Sequence, residues 1–452
     1  MSIAIQIERL TSENVTLRQQ NKTLSEQVLY LLELLEKKTV TKDSHNSHNP
    51  PSQDKKKRKK RSLRKKSGKK TGGQKGHQGH TLNQKAIADQ QTDLKSDFCS
   101  QCGDDLSGLS QELISKRQVV ELPPITPIYV EYRQYGCVCN CGHHQKAAYP
   151  KNVNAPIQYG SSVTALVSYL NVYQYVPYAR LQELFMDVFH LPLSEGTVEN
   201  LLNKAAEKSD PIYQIILEQI KEATYVGSDE TGAKVNDEKW WVWVWQNAKN
   251  TFLKASKSRG FATIEALFPE GLPNAVIGSD RWAAQLKVKS NDKQLCFPHL
   301  LRDLIFLEEK EGEKQWATDF KELLKDALLL RKGADDSNEA FVLGKSVSKK
   351  IENRLNKLLA IPLDKSQFPQ TATFQKSMIK NRNYLFPFLY NLEVPPDNNA
   401  SERAIRNVKV KQKVSGQFKS GQDTFCVLRS IIDTLKKRQL NIMQILALIV
   451  AV

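Results

Sequence analysis

Thr224-Tyr-Val-Gly-Ser-Asp229 and Ala275-Val-Ile-Gly-Ser-Asp280 are the two stretches whose reading decides the fold. Each is a short apolar run that closes on Gly-Ser-Asp, the pattern of a buried strand delivering a carboxylate at its end. Between them lie Trp240-Trp-Val-Trp-Val-Trp245, aromatic and β-branched as a central strand should be, and Thr251–Ser256, a third strand candidate. The tryptophans read as core. Arg259–Leu267 has helical spacing, and Asn274–Asp280 forms the fourth strand. Three strands, a helix and a fourth strand place Asp229 and Asp280 on adjacent strands of a mixed sheet, each at a strand end.

Further along, Pro395-Pro-Asp-Asn-Asn-Ala-Ser-Glu-Arg403 reads as a helix start. The prolines impose an extended entry, Asp397 or Asn398 can cap, and Glu402 falls one turn inside, with Arg403 and Arg406 nearby. The chain holds 49 acidic residues, so three carboxylates alone mean little. The order strand-Asp, strand-Asp, helix-Glu carries the weight, because such a triplet can converge on two divalent metal ions and drive in-line phosphoryl displacement. The sheet order is the outline of the ribonuclease H fold, with residues 301–390 as a charged, mostly helical insertion before the Glu402 helix. Hard oxygen ligands suit Mg²⁺ or Mn²⁺, two per site. In Val408-Lys-Val-Lys-Gln-Lys413 a lysine recurs at every second residue, which predicts a strand or extended loop with Lys409, Lys411 and Lys413 on one phosphate-binding face.

The N-terminal half supplies accessory parts. Ile3, Leu10, Leu17, Leu24 and Leu31 recur every seven residues, with Ile7, Asn14, Asn21, Val28 and Leu35 in the companion seam. Residues 1–37 thus read as a coiled-coil dimerisation helix, its asparagines favouring a parallel pair in fixed register. The net charge of +17 is concentrated: residues 55–70 carry twelve Lys or Arg and no acid, beginning Lys55, Lys56, Lys57, Arg58, Lys59, Lys60, Arg61. This block, within a flexible linker over 38–98, suits a polyanion such as DNA. Five of the seven cysteines crowd into a module over 99–150, which points to metal in a reducing compartment. Cys99 and Cys102, followed by Gly, form one zinc-knuckle turn. Cys141, also followed by Gly, pairs with Cys139, or with Cys137 as the alternative, while His143 and His144 remain substitutes. Four thiolates suit structural Zn²⁺. Residues 151–222 are helical, with Ser194 as a cap, in a pattern that fits a helix-turn-helix or a plain helical hairpin. The C-terminal run from Ile442 is too short to span a bilayer and reads as a final core helix, and no signal sequence is visible. A cytoplasmic, nucleoid-associated protein with no membrane partner is expected. The fold class is therefore multidomain α+β: coiled coil, zinc module, helical region, and a catalytic α/β domain whose first part spans 223–300 and whose C-terminal helices span 391–452.

The chain resembles the transposases of the insertion-sequence 66 family over almost its whole length. The resemblance is carried by the leucine repeat, the basic Gly-rich linker and the paired-Cys module. It continues in Asn154-Ala-Pro-Ile-Gln-Tyr-Gly160, Asp229-Glu-Thr-Gly232, Asp280-Arg-Trp282, Asp397-Asn-Asn-Ala-Ser-Glu-Arg403 and Val408-Lys-Val-Lys-Gln-Lys-Val-Ser-Gly416. The three-Cys cluster at 137–141 departs from that pattern. The resemblance implies that Asp229, Asp280 and Glu402 are catalytic carboxylates. Cys296 and His299 resemble a Cys-x-x-His found after the second aspartate, which implies that His299 lies near the active site. Metal-dependent cleavage and joining of DNA at inverted-repeat ends is the implied activity, with transposon ends, target DNA, a second copy of the chain and element-encoded accessory proteins as partners. A nuclease on the same fold that cuts without joining, and a catalytically silent DNA-binding regulator, are the alternatives.

Overall fold

The computed structural model describes residues 3–47, 54, 76, 82–310, 314–336 and 345–451. Lys55, Lys56, Lys57, Arg58, Lys59, Lys60 and Arg61, expected to hold DNA, lie outside these residues. The chain is mixed α+β, with a helical N-terminal region and a sheet-containing C-terminal domain.

Helix α1 (Ile3–Thr39) runs unbroken because no Gly or Pro interrupts its heptads. Its leucine stripe is exposed in the single chain, Leu10 at 62% and Leu31 at 57%. The Cys-rich segment holds a small hairpin, β1 (Gly136–Val138) with β2 (His144–Lys146). Helices α2 (Ser161–Ser168), α3 (Tyr178–Phe189) and α4 (Glu195–Lys221) follow. Ser194 Oγ accepts from the Thr197 amide and caps α4. Ten residues of α4 are buried, among them Val198, Leu201, Ala205 and Ile216, so this helix belongs to the core.

The five-stranded sheet has the order β5-β4-β3-β6-β7. Strands β3 (Tyr225–Val235), β4 (Glu238–Gln246) and β5 (Thr251–Ser256) form an antiparallel meander. The β3–β4 turn is Asn236-Asp237, both at positive φ (46° and 64°), as a two-residue hairpin requires. After α5 (Phe261–Leu267), strand β6 (Leu272–Ser279) lies parallel to β3. A short α6 (Ala283–Leu286) leads to β7 (Ser290–Leu295), parallel to β6. Strand β7 has no counterpart in the sequence reading, because Ser-Asn-Asp-Lys-Gln-Leu begins polar and only its last three residues are buried.

Asp229 does not end its strand, since β3 continues to Val235. Pairing with β6 stops at Gly227↔Gly278, whereas pairing with β4 runs on through Asp229↔Val244. Asp229 therefore sits just beyond the point where its parallel neighbour has ended, and Asp280 is the residue that follows β6. Both carboxylates emerge at the same rim, one from a half-paired strand and one from a strand terminus. The glycine of each Gly-Ser-Asp motif makes room there. A Cβ on Gly278 would overlap the Tyr225 ring, and one on Gly227 would lie 2.8 Å from Ser401 Oγ and 3.0 Å from Asn398 Oδ1.

Helices α7 (Phe297–Lys310), α8 (Lys314–Asp336), α9 (Lys345–Ala360), α10 (Pro369–Lys380) and α11 (Pro387–Tyr390) stand between β7 and the Glu402 helix, α12 (Asn399–Ser415). They form a second core around Trp316, Phe320, Phe374 and Phe388 that reaches the sheet at Tyr225, Val276 and Leu295. The first core joins the sheet, including the fully buried Trp243 and Trp245, to α2–α4, α12, α13 (Gln422–Lys437) and α14 (Ile442–Ala451). The site described below lies at the junction of the two cores.

The second correction concerns Lys409, Lys411 and Lys413, which are helical and not extended. The buried residues of α12 are Ser401, Ala404, Ile405, Val408 and Lys411, a stripe at helical spacing. That stripe overrides the two-residue alternation of the lysines, because burying one apolar helix face outweighs any local strand preference.

Candidate active site

Asp229 and Asp280 reach the site from β3 and the end of β6, and Glu402 from the first turn of α12. The Asp229 carboxylate accepts the Glu230 amide at 2.8 Å. Burial, and then the neighbouring Asp280 and Glu230, push its pKa well above the usual carboxylate range; Glu402 adds to the same effect. His299, in the first turn of α7, stands between the other two acids. Its Nδ1 is 2.6 Å from Asp280 Oδ1 and its Nε2 is 3.6 Å from Glu402 Oε1. Among the described residues, no lysine or arginine forms an ion pair with any of the three acids. Glu402 Oε1 is buried and accepts no hydrogen bond among those residues. Three crowded carboxylates without a cationic partner other than an imidazole fit hard divalent cations.

Cys296, at the end of β7, accepts the Asn398 amide at 3.3 Å. Burial first, and Asp280 second, raise its thiol well above the ordinary value, so it serves as a neutral acceptor. Asp280, Cys296 and His299 are the group of three metal-capable side chains, among the described residues, whose ligand atoms all lie within 4.8 Å of one another. The entry to α12 is tied down from both sides. Asn398 is the N-cap and makes no capping side-chain bond, while Asp397 Oδ1, one residue earlier, accepts the Asn399 amide at 3.0 Å. Asn398 Nδ2 donates to the Ser228 carbonyl at 2.7 Å, binding the helix start to the strand beside Asp229.

Glu230 escaped the sequence reading. It is buried on the opposite side of β3, paired with Arg259 at 2.6 Å and accepting Gln285 Nε2 at 2.9 Å. Burial raises its pKa, and Arg259 opposes that shift. The only signal in the sequence was its place after Asp229. Arg331 was also missed. It lies buried on α8 and donates to the carbonyls of Phe388, Leu392 and Val394, fixing the segment that leads into Pro395.

Arg403, Arg406, Lys409 and Lys413 are exposed on α12. Lys409 Nζ donates to the Gly232 carbonyl at 2.7 Å. Lys411 differs: it is 9% exposed, and burial lowers its pKa to about 8. A phosphate cannot reach it without displacing the packing around Tyr178 and Asn171. Lys411→Met is therefore expected to stabilise the protein by about 1–3 kcal/mol, since a desolvated ammonium is replaced by an apolar side chain of similar length. Thermal melts read that gain. Lys413→Ala is expected to leave the melt unchanged and to reduce the slope of log K for DNA against log salt by about one, which Lys411→Met leaves as it is.

In the Cys-rich segment two turns of different length each close on a glycine. Gly103 donates to the Cys99 carbonyl and Gly142 to the Cys139 carbonyl, both glycines at positive φ (80° and 82°). Backbone and side-chain hydrogen bonds from Cys102 and Gln101 lower the Cys99 thiol to about 7, and those of Cys141 lower Cys139. The thiols thus stand as the pairs Cys99/Cys102 and Cys139/Cys141, while Cys137 lies on β1 opposite Gln145. The structure does not draw three or more of these thiols within 4.8 Å of one another.

Among the described residues no helix is long and apolar enough to cross a membrane. The family model described as Transposase IS66 family matches residues 156–424, a span that contains Asp229, Asp280, Cys296, His299 and Glu402. A second model, a family of unknown function (DUF6444), matches residues 2–83. A comparison with curated proteins finds no match. The first match takes in more than half of the 452 residues and all of the sheet, so the chain belongs to the IS66 transposase family.

Proposed function

We propose that this transposase cleaves DNA at the inverted-repeat ends of an insertion sequence and joins the freed ends to target DNA, using Asp229, Asp280 and Glu402 as ligands for two Mg²⁺ or Mn²⁺ ions in a ribonuclease H-like domain. Family membership implies DNA binding and the use of a divalent metal. The observation that carries the finer reading is that His299 bridges Asp280 and Glu402 while both acids act on the buried Asp229, with no lysine or arginine paired to any of the three among the described residues. The strand order, an antiparallel meander extended by two parallel strands, supports the proposed fold. When bound, the ions activate the attacking oxygen and stabilise the leaving one. The chain's own residues supply the frame. Asp229, on the central strand, would hold both ions, and Asp280 and Glu402 would each hold one. His299 holds the spacing of Asp280 and Glu402, and Asn398 locks α12 to β3 so that Glu402 cannot swing away. In cleavage, a water oxygen forms a bond to phosphorus and the 3′-oxygen leaves. In joining, that 3′-hydroxyl attacks a target phosphate and a target 3′-oxygen leaves, so neither step needs a redox partner or nucleotide.

Joining separates this reading from a nuclease that only cuts. The full-length protein, given pre-nicked ends from the flanks of its own gene and a supercoiled plasmid, is expected to form covalent joints only with Mg²⁺ or Mn²⁺. Cleaved ends that never join would support the nuclease reading, and binding without cleavage the regulator. The remaining parts serve synapsis. The exposed leucine stripe of α1 pairs two copies, the linker holds DNA without sequence preference, and the Cys-rich module, which Zn²⁺ would close by drawing Cys99 and Cys102 to Cys139 and Cys141 (or Cys137 in place of Cys139), reads the ends with the helical region. In solution this predicts a dimer carrying one zinc per chain. A zinc-free monomer by sedimentation and metal analysis would remove both assignments.

A further inference from the structure

Two residues beyond Asp280, Trp282 presents its indole at the surface, 36% exposed, beside a site otherwise built of buried groups. Exposed tryptophan is unusual unless its face has a partner, because the ring carries a large apolar area. On one face that partner is the Arg259 guanidinium, 3.8 Å from the ring centre. Arg259 also lies 4.8 Å from the Trp241 ring, so the cation sits between two indoles. The buried Glu230 holds it with two hydrogen bonds of 2.6 and 2.8 Å. Trp282 Nε1 donates to the Arg259 carbonyl at 3.3 Å. The ring is therefore fixed before any ligand arrives, and its one polar hydrogen is already used. What remains is a rigid π-surface without a base-reading group.

We infer that Trp282, held by Arg259 and Glu230, is a stacking platform for one unpaired nucleobase next to the phosphate that Asp229, Asp280 and Glu402 act upon. This rests on the function proposed above and names how its substrate is seated. Two residues span at most about 7 Å of chain, roughly two base-pair rises along a DNA duplex, so a base lifted out of the helix near the scissile bond falls within reach. Bases taken out of the duplex stack are held by stacking on aromatic side chains, and such stacking tolerates any sequence because each base has a π-face. With Nε1 satisfied, this platform is expected to hold purines and pyrimidines alike, leaving sequence readout to other parts of the protein. The Glu230–Arg259 pair preorganises the ring, which lowers the ordering cost of binding.

The test uses the full-length protein and two labelled duplexes of equal length, one blunt and one with a five-nucleotide single-stranded overhang carrying 5-iododeoxyuridine at its first position. Irradiation of the wild type is expected to crosslink the overhang at Trp282, identified by peptide mass. Trp282→Ala is expected to weaken overhang binding about tenfold while blunt-duplex affinity stays within twofold, and Trp282→Phe to recover most of the loss. A crosslink elsewhere, equal overhang affinity in Trp282→Ala, or a parallel loss on both duplexes overturns the inference. The crosslink needs no variant, so it decides even if Trp282→Ala folds poorly. Asp229→Asn, assayed beside it for metal-dependent nicking, reports on the catalytic reading alone: persistent nicking sinks that reading, while a normal overhang crosslink in the same variant keeps the stacking platform.

Discussion

Asp229→Asn is expected to lower metal-dependent strand cleavage by at least about 10³-fold, while the metal-free variant melts at a higher temperature than the wild type at neutral pH. The two effects have one cause. Asp229 is a buried carboxyl on β3, pressed by Asp280, Glu230 and Glu402, and its folded pKa is raised well above the ordinary 3.8. In the unfolded chain it ionises near the ordinary value. Between the two values the native state holds a proton that the unfolded state has lost, so stability falls as pH rises through that window. Asparagine carries no such proton and removes the penalty. It also removes a negative ligand from a position proposed to face two ions, and charge stabilisation by metals contributes several kcal/mol to phosphoryl transfer, one decade in rate for each 1.4 kcal/mol. In the wild type, added Mg²⁺ or Mn²⁺ should recover stability at the pH where the metal-free protein is weakest; in the variant it should recover little. Cleavage within tenfold of the wild type, or a metal-free melt that does not depend on pH in the wild type and does in the variant, would remove Asp229 from the role assigned to it.

Arg331→Met is expected to destabilise the protein by about 3–5 kcal/mol and to lose cleavage together with folding. Arg331 is 7% exposed, and its guanidinium donates to the carbonyls of Phe388, Val394 and Leu392 at the end of the helical insertion. Methionine fills much of the volume and satisfies none of those acceptors, and charge-assisted hydrogen bonds to buried groups contribute about 1.5–3 kcal/mol each before compensation. The segment that Arg331 holds runs directly into Pro395, Pro396 and Asp397, so its release frees the start of α12 and with it Glu402. Denaturant titration measures the loss. Partial rescue by Arg331→Lys, which returns one ammonium to the carbonyls without the planar fork, distinguishes lost hydrogen bonds from lost packing. A midpoint unchanged in Arg331→Met would mean that α12 is held by β3 and Cys296 alone.

The strands around both aspartates were legible because short apolar runs closed by Gly-Ser-Asp leave few alternatives. The Glu402 helix start was equally plain, since two prolines and the Asp397-Asn398 pair after them are local signals. Strand β7 was not legible, because its polar first half looks like a loop until β6 supplies a partner. The Val408–Lys413 run misled for the opposite reason. Its alternation is a true two-residue pattern, and only the packing of Ala404, Ile405, Val408 and the Lys411 stem on the domain core converts it to helix. The apolar run before Asp229 stops there and so reads as a strand end, whereas the ladder to β4 continues the strand.

Residue order by itself determined that Asp280 follows a strand, that Glu402 stands at a helix start, and that the sheet is mixed, because those features follow from local periodicity and turn chemistry. Only the tertiary structure decided that His299 sits between Asp280 and Glu402, that Glu230 answers Arg259 beneath Trp282, and that Arg331 clamps the approach to α12. Each of those contacts joins residues far apart in the chain, and which partner a buried charge finds is set by the desolvation cost of leaving it alone, a quantity that exists only once the cores have closed.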